Sequence, residues 1–226
     1  MRLFMRHATV TAVETIADRF RLITLEGPAL AGIAWTPGQK IQIAMGSAFV
    51  ARTYTPIEWD PVAGRTRILG YAHGDGPGSA WVRDLEPGDA CDIFGPRHSL
   101  DLSAVAGPLA LLGDETSIGL ARALLSHDRT GTIACLFEVD DVDASRRIMA
   151  RLGLDDVTLF GRTEDGAHIE GIEAALPALD AAGPTFVLTG KASTIQRLRL
   201  ALKRRAVPAT RIVAKAYWAP GKAGLD

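Results

Sequence analysis

The sequence predicts a β unit followed by an α/β unit. An antiparallel six-stranded β-barrel is expected over residues 1–103 and a parallel-sheet α/β domain over residues 108–226. Two observations predict it. Short strand patterns with frequent turn signals fill the first hundred residues, and strand–helix alternation fills the rest. The length of 226 residues, with 47% apolar and 23% charged residues, is enough for two small cores and excludes disorder as the main state.

The strands of the first half read as Thr9–Ile16, Phe20–Leu25, Lys40–Met45, Phe49–Tyr54, Arg65–Ala72 and Ala90–Phe94. Each shows alternation or β-branched enrichment. Gly27-Pro28, Pro37-Gly38, Asp60-Pro61, Pro87-Gly88-Asp89 and Gly95-Pro96 punctuate them. One short helix is expected at about Ser79–Leu85. Beyond Pro108 the apolar run Leu109–Leu112 has the look of a strand buried on both faces. Ile118–Ser126, Ser145–Leu152, Ile169–Leu176 and Thr194–Arg205 follow helical spacing. Ile133–Glu138, Val157–Phe160, Thr185–Thr189 and Ile212–Tyr217 are the strands between and after them. The boundary falls near Ser103–Gly107.

Composition narrows the partners. Lys+Arg of 25 against Asp+Glu of 26 gives a formal charge of −1, which argues against a general nucleic-acid binder. No run reaches the roughly 18 apolar residues of a membrane span. The N-terminus lacks the apolar stretch of a signal peptide, so no membrane role and a cytoplasmic location are expected. Cys91 and Cys135 read as buried free thiols, too few for a disulfide framework or an iron–sulfur cluster. His7, His73, His98, His127 and His168 show no ligand spacing, so no metal site is expected.

Several segments carry groups suited to chemistry. Arg52-Thr53-Tyr54-Thr55 ends a strand, with Arg52 and Tyr54 on one face and Thr53 and Thr55 on the other. A guanidinium fork suits phosphate, a phenol ring suits a planar ring, and a Thr hydroxyl can donate to a ring nitrogen. An ordinary edge strand with a surface Arg is the alternative. Tyr71–Trp81 is a glycine-rich turn opening a helix, where bare backbone amides suit an anion. Ser79 is placed there as the helix cap, also within reach of a phosphate. A plain capped loop is the alternative.

Leu111–Gly119 lies at the carboxyl end of a buried strand, the edge where α/β sheets bind ligands. Asp114, Glu115, Thr116 and Ser117 supply its polar groups. Adjacent acids rarely aim at one point, which disfavours an acid–base pair there. Val187–Ala192 repeats the strand–turn–helix logic, with Lys191 placed to meet a phosphate. The following helix carries Arg197, Arg199, Lys203, Arg204 and Arg205, either a solvated face or an attractor of anions. The tail Lys215-Ala216-Tyr217-Trp218-Ala219-Pro220-Gly221-Lys222 sets aromatics beside lysines. It suits a flavin or a bulky anion, or simply packs on the core.

Taken in order, these motifs resemble the siderophore-interacting protein family, a branch of the ferredoxin-reductase-like flavoproteins. The resemblance rests on Arg52-x-Tyr54-Thr55, His73-Gly74-x-Gly76-Pro77-x-Ser79-x-Trp81, Gly95-Pro96-Arg97, Gly113-Asp114-Glu115-Thr116, Gly190-Lys191-Ala192 and Tyr217-Trp218. It implies an FAD-binding barrel and an NAD(P)H-binding domain in an oxidoreductase that reduces ferric siderophores or other ferric chelates. Electrons would come from NAD(P)H or a ferredoxin. By resemblance Arg52, Tyr54, Thr55, His73, Gly74, Gly76, Ser79, Ala80 and Trp81 bind the flavin cofactor, and Thr116, Gly190 and Lys191 the nucleotide side. Thr55, Asp114, Glu115 and Thr116 stand at the reaction, and Lys215, Trp218 and Lys222 meet the substrate. Another flavin reductase or electron-transfer component, or a non-catalytic siderophore- or flavin-binding module, are the alternatives. The sequence departs from the family at Lys191, commonly Glu, and after Trp218, where an arginine is frequent.

Overall fold

The structure, a computed structural model, describes residues 5–47, 50–100, 102, 105–126 and 131–222. Phe49, Ser103, Ala104 and His127, which figure in the sequence expectations, lie outside the described residues. The chain divides into two compact units, Met1–Ser103 with Arg122–Ser126 and Ala104–Ala121 with His127–Asp226.

The first unit is an antiparallel sheet of seven strands: β1 (Arg6–Ala17), β2 (Phe20–Glu26), β3 (Lys40–Ser47), β4 (Val50–Tyr54), β5 (Pro56–Asp60), β6 (Arg65–Tyr71) and β7 (Ala90–Arg97). Their order is β4-β3-β7-β1-β2-β6-β5. The expectation of six strands is corrected by β5. The sequence reading ends the preceding strand at Thr55, yet Pro56 opens a further one, as a proline can at the first residue of an edge strand where no neighbour needs its missing N–H. The antiparallel barrel class holds, but the barrel is open: β4 and β5, the two ends of the order, are not hydrogen-bonded to each other. Thr55 alone joins them, and one residue spans only about 3.5 Å. The sheet therefore curls until its edges approach.

The concave face of this sheet is the core. Ile23, Leu25, Ile41, Ile43, Ile68 and Ile93 are fully buried on it. Helix α1 (Pro77–Asp84) contributes buried Val82.

From Leu109 onward the chain alternates strand and helix: β8 (Leu109–Asp114), α2 (Ile118–Ser126), β9 (Ile133–Val139), α3 (Val142–Leu152), β10 (Val157–Gly161), α4 (Ala167–Asp180), β11 (Thr185–Lys191), α5 (Ala192–Arg204) and β12 (Ile212–Trp218). All five strands pair in parallel, in the order β10-β9-β8-β11-β12. Ile172 and Leu176 of α4, and Ile195, Leu198 and Leu202 of α5, pack with Ala110, Leu112, Phe186 and Leu188 on one sheet face. Leu109, Leu111 and Val187 point the other way and are also buried, so both faces are covered.

The chain runs from β8 to β9 on one side and later places β11 on the other. The switch point of the sheet thus lies between β8 and β11, where adjacent loops diverge and leave a crevice at the carboxyl edge. No helix among the described residues is long and apolar enough to cross a membrane.

Candidate functional site

Two groups of candidate residues form, one in each unit. In the first unit, Arg52 and Tyr54 stand opposite Ile43 and Ile41 in the β3–β4 ladder. Directly opposed residues share a face, so both side chains point to the core side, while Thr53 is exposed on the other. The Tyr54 ring lies 5.5 Å from that of Trp81 on α1, tilted by 45°. Burial pushes the Tyr54 phenol above its usual range, so it is a neutral donor and a flat wall rather than a charge.

Arg52 lies across the start of α1. A Cβ on Gly78 would come within 2.9 Å of Arg52 Cγ, so the missing side chain lets the arginine rest there. Its Nη1 donates to the Ala51 carbonyl at 2.8 Å. Gly76 is the N-cap of α1 and Pro77 opens the helix. The expectation of Ser79 as cap is therefore corrected. Ser79 is the third helical residue and is buried, its small side chain turned into the unit.

The first amides of the helix, at Gly78 and Ser79, have no helical carbonyl behind them. Gly74 adopts φ +118, and nothing lies within 4 Å of where a Cβ on Gly74 or Gly76 would project. His73 is exposed, with its ring 5.4 Å from Tyr71, which stacks on Phe20 at 4.6 Å. Ala80 and Thr55 are half-buried. A guanidinium, a helix N-terminus, an open glycine turn and aromatic faces together suit a ligand with a diphosphate and a planar ring. FAD fits this donor set.

The second group is built at the switch point. Asp114 ends β8, is fully buried, and caps the 3-10 turn Glu115–Ser117. Its Oδ1 accepts from Thr116 N at 2.9 Å and from the Thr116 hydroxyl, and its Oδ2 accepts from Trp218 Nε1 at 2.7 Å. Burial pushes the Asp114 carboxyl up, while these donors and Arg162 pull it down. Ser117 Oγ accepts from Thr189 Oγ1 at 2.7 Å and ties the turn to β11. Lys191 Nζ lies 5.7 Å from the Trp218 ring centre, a cation–π pair at the end of β12.

Glu115 turns the opposite way. Its carboxylate, 2% exposed, accepts from Arg162 Nη2 at 2.8 Å and Nη1 at 3.0 Å, and from the Asp140 amide at 2.6 Å. The two adjacent acids do not converge on one point. The Glu115 carboxylate is held by Arg162 and a backbone amide.

The lysines of the tail are not brought together either. Lys215 pairs in register with Thr189 and its neighbour Ala216 packs with the α4–α5 core, so Lys215 faces the other side of the sheet. Lys222 is exposed in a turn, its amide donating to the Ala219 carbonyl at 3.2 Å. Trp218 alone of the three meets Asp114.

Sequence reasoning missed Arg162, Glu138, Thr194 and His168. Glu138 accepts from Thr194 Oγ1 at 2.7 Å and pairs with His168 Nε2 at 3.0 Å. The available signal was position: Glu138 lies within β9 one residue from its end, and Arg162 directly follows β10, at the same sheet edge as Asp114. Among the described residues, no group of acids, His or Cys is arranged to hold a metal.

Gly190 supplies the test of this geometry. Its φ of +98 strains any L side chain, and a Cβ there would sit 2.3 Å from Asp114 Oδ2. Gly190→Ala is expected to lower stability of the second unit by about 2 kcal/mol or more. Urea unfolding checks it, and a loss below about 0.5 kcal/mol contradicts the packing of Asp114 against Gly190.

Comparison with known proteins completes the picture. The family profile described as siderophore-interacting FAD-binding domain matches residues 44–100. The profile described as siderophore-interacting protein matches residues 106–221. The NADPH-dependent ferric-chelate reductase of Escherichia coli (strain K12) is 24% identical over 248 residues, covering 94% of this chain and 92% of that protein. The siderophore-interacting protein SipS from Aeromonas hydrophila superposes with a TM-score of 0.76 at 25% identity, over 96% of this chain and 92% of that one. The ferredoxin reductase of carbazole 1,9a-dioxygenase shares the fold, with a TM-score of 0.75 at 16% identity, over 95% of this chain and 69% of that one. On the match of its second half and most of its first, this chain belongs to the siderophore-interacting protein family.

Proposed function

We propose that this protein is an FAD-dependent reductase of ferric siderophores, acting in the cytoplasm with electrons from NAD(P)H or a ferredoxin. The observation that carries this reading is the match of both halves of the chain to siderophore-interacting profiles, together with a donor set at Arg52–Trp81 that suits FAD. The likeness to an NADPH-dependent ferric-chelate reductase along nearly the whole chain supports it.

Arg52 and the first amides of α1 would hold the cofactor's diphosphate, with His73, Gly74 and Gly76 shaping the turn beneath it. Tyr54 and Trp81 would supply flat walls, and the Thr55 hydroxyl a donor to a ring nitrogen. FAD, when bound, accepts two electrons as hydride and releases them singly. A ferric siderophore is a substrate matched to single electrons. Hard oxygen ligands hold Fe(III) tightly and Fe(II) weakly, so one electron frees the iron and leaves the chelator intact.

In the second unit, Asp114 and Glu115 act as holders rather than as acids or bases. Asp114 fixes Thr116 and Trp218, and Glu115 anchors the turn to Arg162. Lys191 would meet the donor's phosphates, with Thr116 and Trp218 both held close by through Asp114. Lys222, exposed beyond the end of β12, would add positive charge for an anionic chelate.

The experiment is anaerobic absorption spectroscopy of the purified, FAD-loaded protein. Flavin bands are expected to bleach with NADH or NADPH, or with a reduced ferredoxin, and to return when a ferric chelate is added. Bands that bleach but do not return with any of several ferric chelates would contradict siderophore reduction and favour an electron-transfer component. Lys191→Glu reverses a charge that the donor's phosphates would meet. It is expected to raise KM for the pyridine nucleotide roughly tenfold with little change in kcat. Unchanged KM contradicts that role.

A further inference from the structure

The sheet face that carries α4 and α5 has an acid built into it. Glu138 stands one residue before the end of β9, on the same side as Leu136, which packs in the α4–α5 core. Its side chain is 1% exposed. Two helices are tied to it. Its Oε1 accepts from the Thr194 hydroxyl at 2.7 Å, and Thr194 is the third residue of α5. Its Oε2 faces His168 Nε2 at 3.0 Å, and His168 is the second residue of α4.

His168 Nδ1 accepts the Thr163 amide at 3.1 Å, which leaves the ring proton on Nε2, so the imidazole donates to Glu138. The buried carboxylate therefore sits against the first turns of two helices, where the axial dipoles favour negative charge. Arg162 Nε lies farther off, 3.7 Å from Oε2, and makes no hydrogen bond.

The tie to α5 matters because no side chain caps the start of that helix. The sequence holds no Asp or Glu between Asp180 and Asp226, so an acidic acceptor for the first turn has to come from another element. The β11–β12 ladder slips at the same place: Gly190 pairs with Ala216, but the next residue, Lys191, pairs with Trp218. Such a bulge releases the strand end from strict register. Lys191 is both that strand end and the N-cap of α5, and its Nζ lies 5.7 Å from the Trp218 ring centre. Where Lys191 stands thus depends on how the first turn of α5 is docked, and the hydroxyl that docks it lies three residues on.

We infer that Glu138 and Thr194 are positioning residues for the electron donor: the hydrogen bond between them holds the first turn of α5 and so sets Lys191 over Trp218, where the cation meets a pyridine nucleotide's phosphates. The nucleotide part of this inference rests on the reductase reading; the Glu138–Thr194–Lys191 link does not. Glu138 and Thr194 are both buried, so each acts through Lys191.

The test is a double-mutant cycle on the FAD-loaded protein, read as equilibrium binding of NADP+. Lys191→Met is expected to bind roughly fivefold more weakly and Thr194→Val roughly threefold. Thr194→Ser keeps the hydroxyl and is expected to bind as wild type does. Thr194→Val combined with Lys191→Met is expected to lose no more than Lys191→Met alone, because position counts for nothing once the cation is gone. A merely structural role for Thr194 would instead add, to roughly fifteenfold. The indole N–H signal of Trp218, assigned with Trp218→Phe in nitrogen-15 NMR, reads the same link without nucleotide. It is expected to shift in Lys191→Met, to shift the same way in Thr194→Val and to keep its wild-type position in Thr194→Ser.

Additive losses in the cycle overturn the inference, and so does a Thr194→Val variant that binds NADP+ as wild type does. A Trp218 signal left unmoved by Thr194→Val also overturns it. Should Thr194→Val fail to fold, Thr194→Ala takes its place in both measurements. Wild-type protein that binds no NADP+ contradicts a pyridine-nucleotide donor, and Lys191→Met that binds as tightly as wild type contradicts the role of Lys191. In either case the nucleotide-free Trp218 signal decides the Glu138–Thr194–Lys191 link on its own.

Discussion

A buried carboxylate at the end of β8 is the constraint on which the second unit's functional edge depends. Asp114 is completely enclosed, and burying a charge without partners is prohibitive. The fold meets that demand with three donors and a glycine. Thr116 and Trp218 satisfy the oxygens, and Gly190 leaves the space in which Oδ2 sits. Each of these partners comes from a different part of the edge: the turn after β8, the end of β12 and the end of β11. Satisfying one carboxylate therefore fixes three segments at once. Asp114 and Glu115 take opposite directions because neighbouring side chains diverge, and this lets one short turn brace against β11–β12 and against β9–β10 together.

The first unit meets a different constraint. Its two edge strands, β4 and β5, are joined by Thr55 alone, so the sheet must curl. The curl gives a concave core lined by isoleucines. It also brings Arg52 and Tyr54 to the core side of an edge strand, where α1 can pack against them. Most arginines of this sheet make cross-strand or surface pairs, as Arg65 does with Asp60 and Arg67 with Glu58. Arg52 instead lies over the start of a helix, with the N-terminal amides beside it. Positive charge and free amides at one place make an anion site that neither element makes alone.

Much of this was legible in the sequence because it is local. Alternation set Arg52 and Tyr54 on one face, and the wholly apolar Leu109–Leu112 announced a buried parallel strand. Gly-x-x at strand ends marked the turns that became Asp114–Ser117 and Gly190–Lys191. The parts that were not legible depend on distant pairing. β5 was lost because the strand pattern ends at Thr55, and a proline opens a further strand only where no neighbour needs its N–H. Ser79 read as a cap because the sequence does not say that Gly76-Pro77 starts the helix one turn earlier. Lys215 seemed to join Trp218 until the ladder showed it on the other face. Arg162 and Glu138 carry no motif at all. Only the register of β8, β9 and β10 brings them to Glu115, across gaps of 47 residues for Arg162 and Glu115 and 24 for Arg162 and Glu138.

The claim that Asp114 organises the sheet edge has a direct test in hydrogen exchange of the Trp218 indole, followed by nitrogen-15 NMR with Trp218→Phe to assign the signal. The account predicts that this N–H, bonded to an enclosed carboxylate at 2.7 Å, exchanges far more slowly than an indole open to water, and that Asp114→Ala abolishes the protection. An indole proton that exchanges as fast in the wild type as in Asp114→Ala would contradict it.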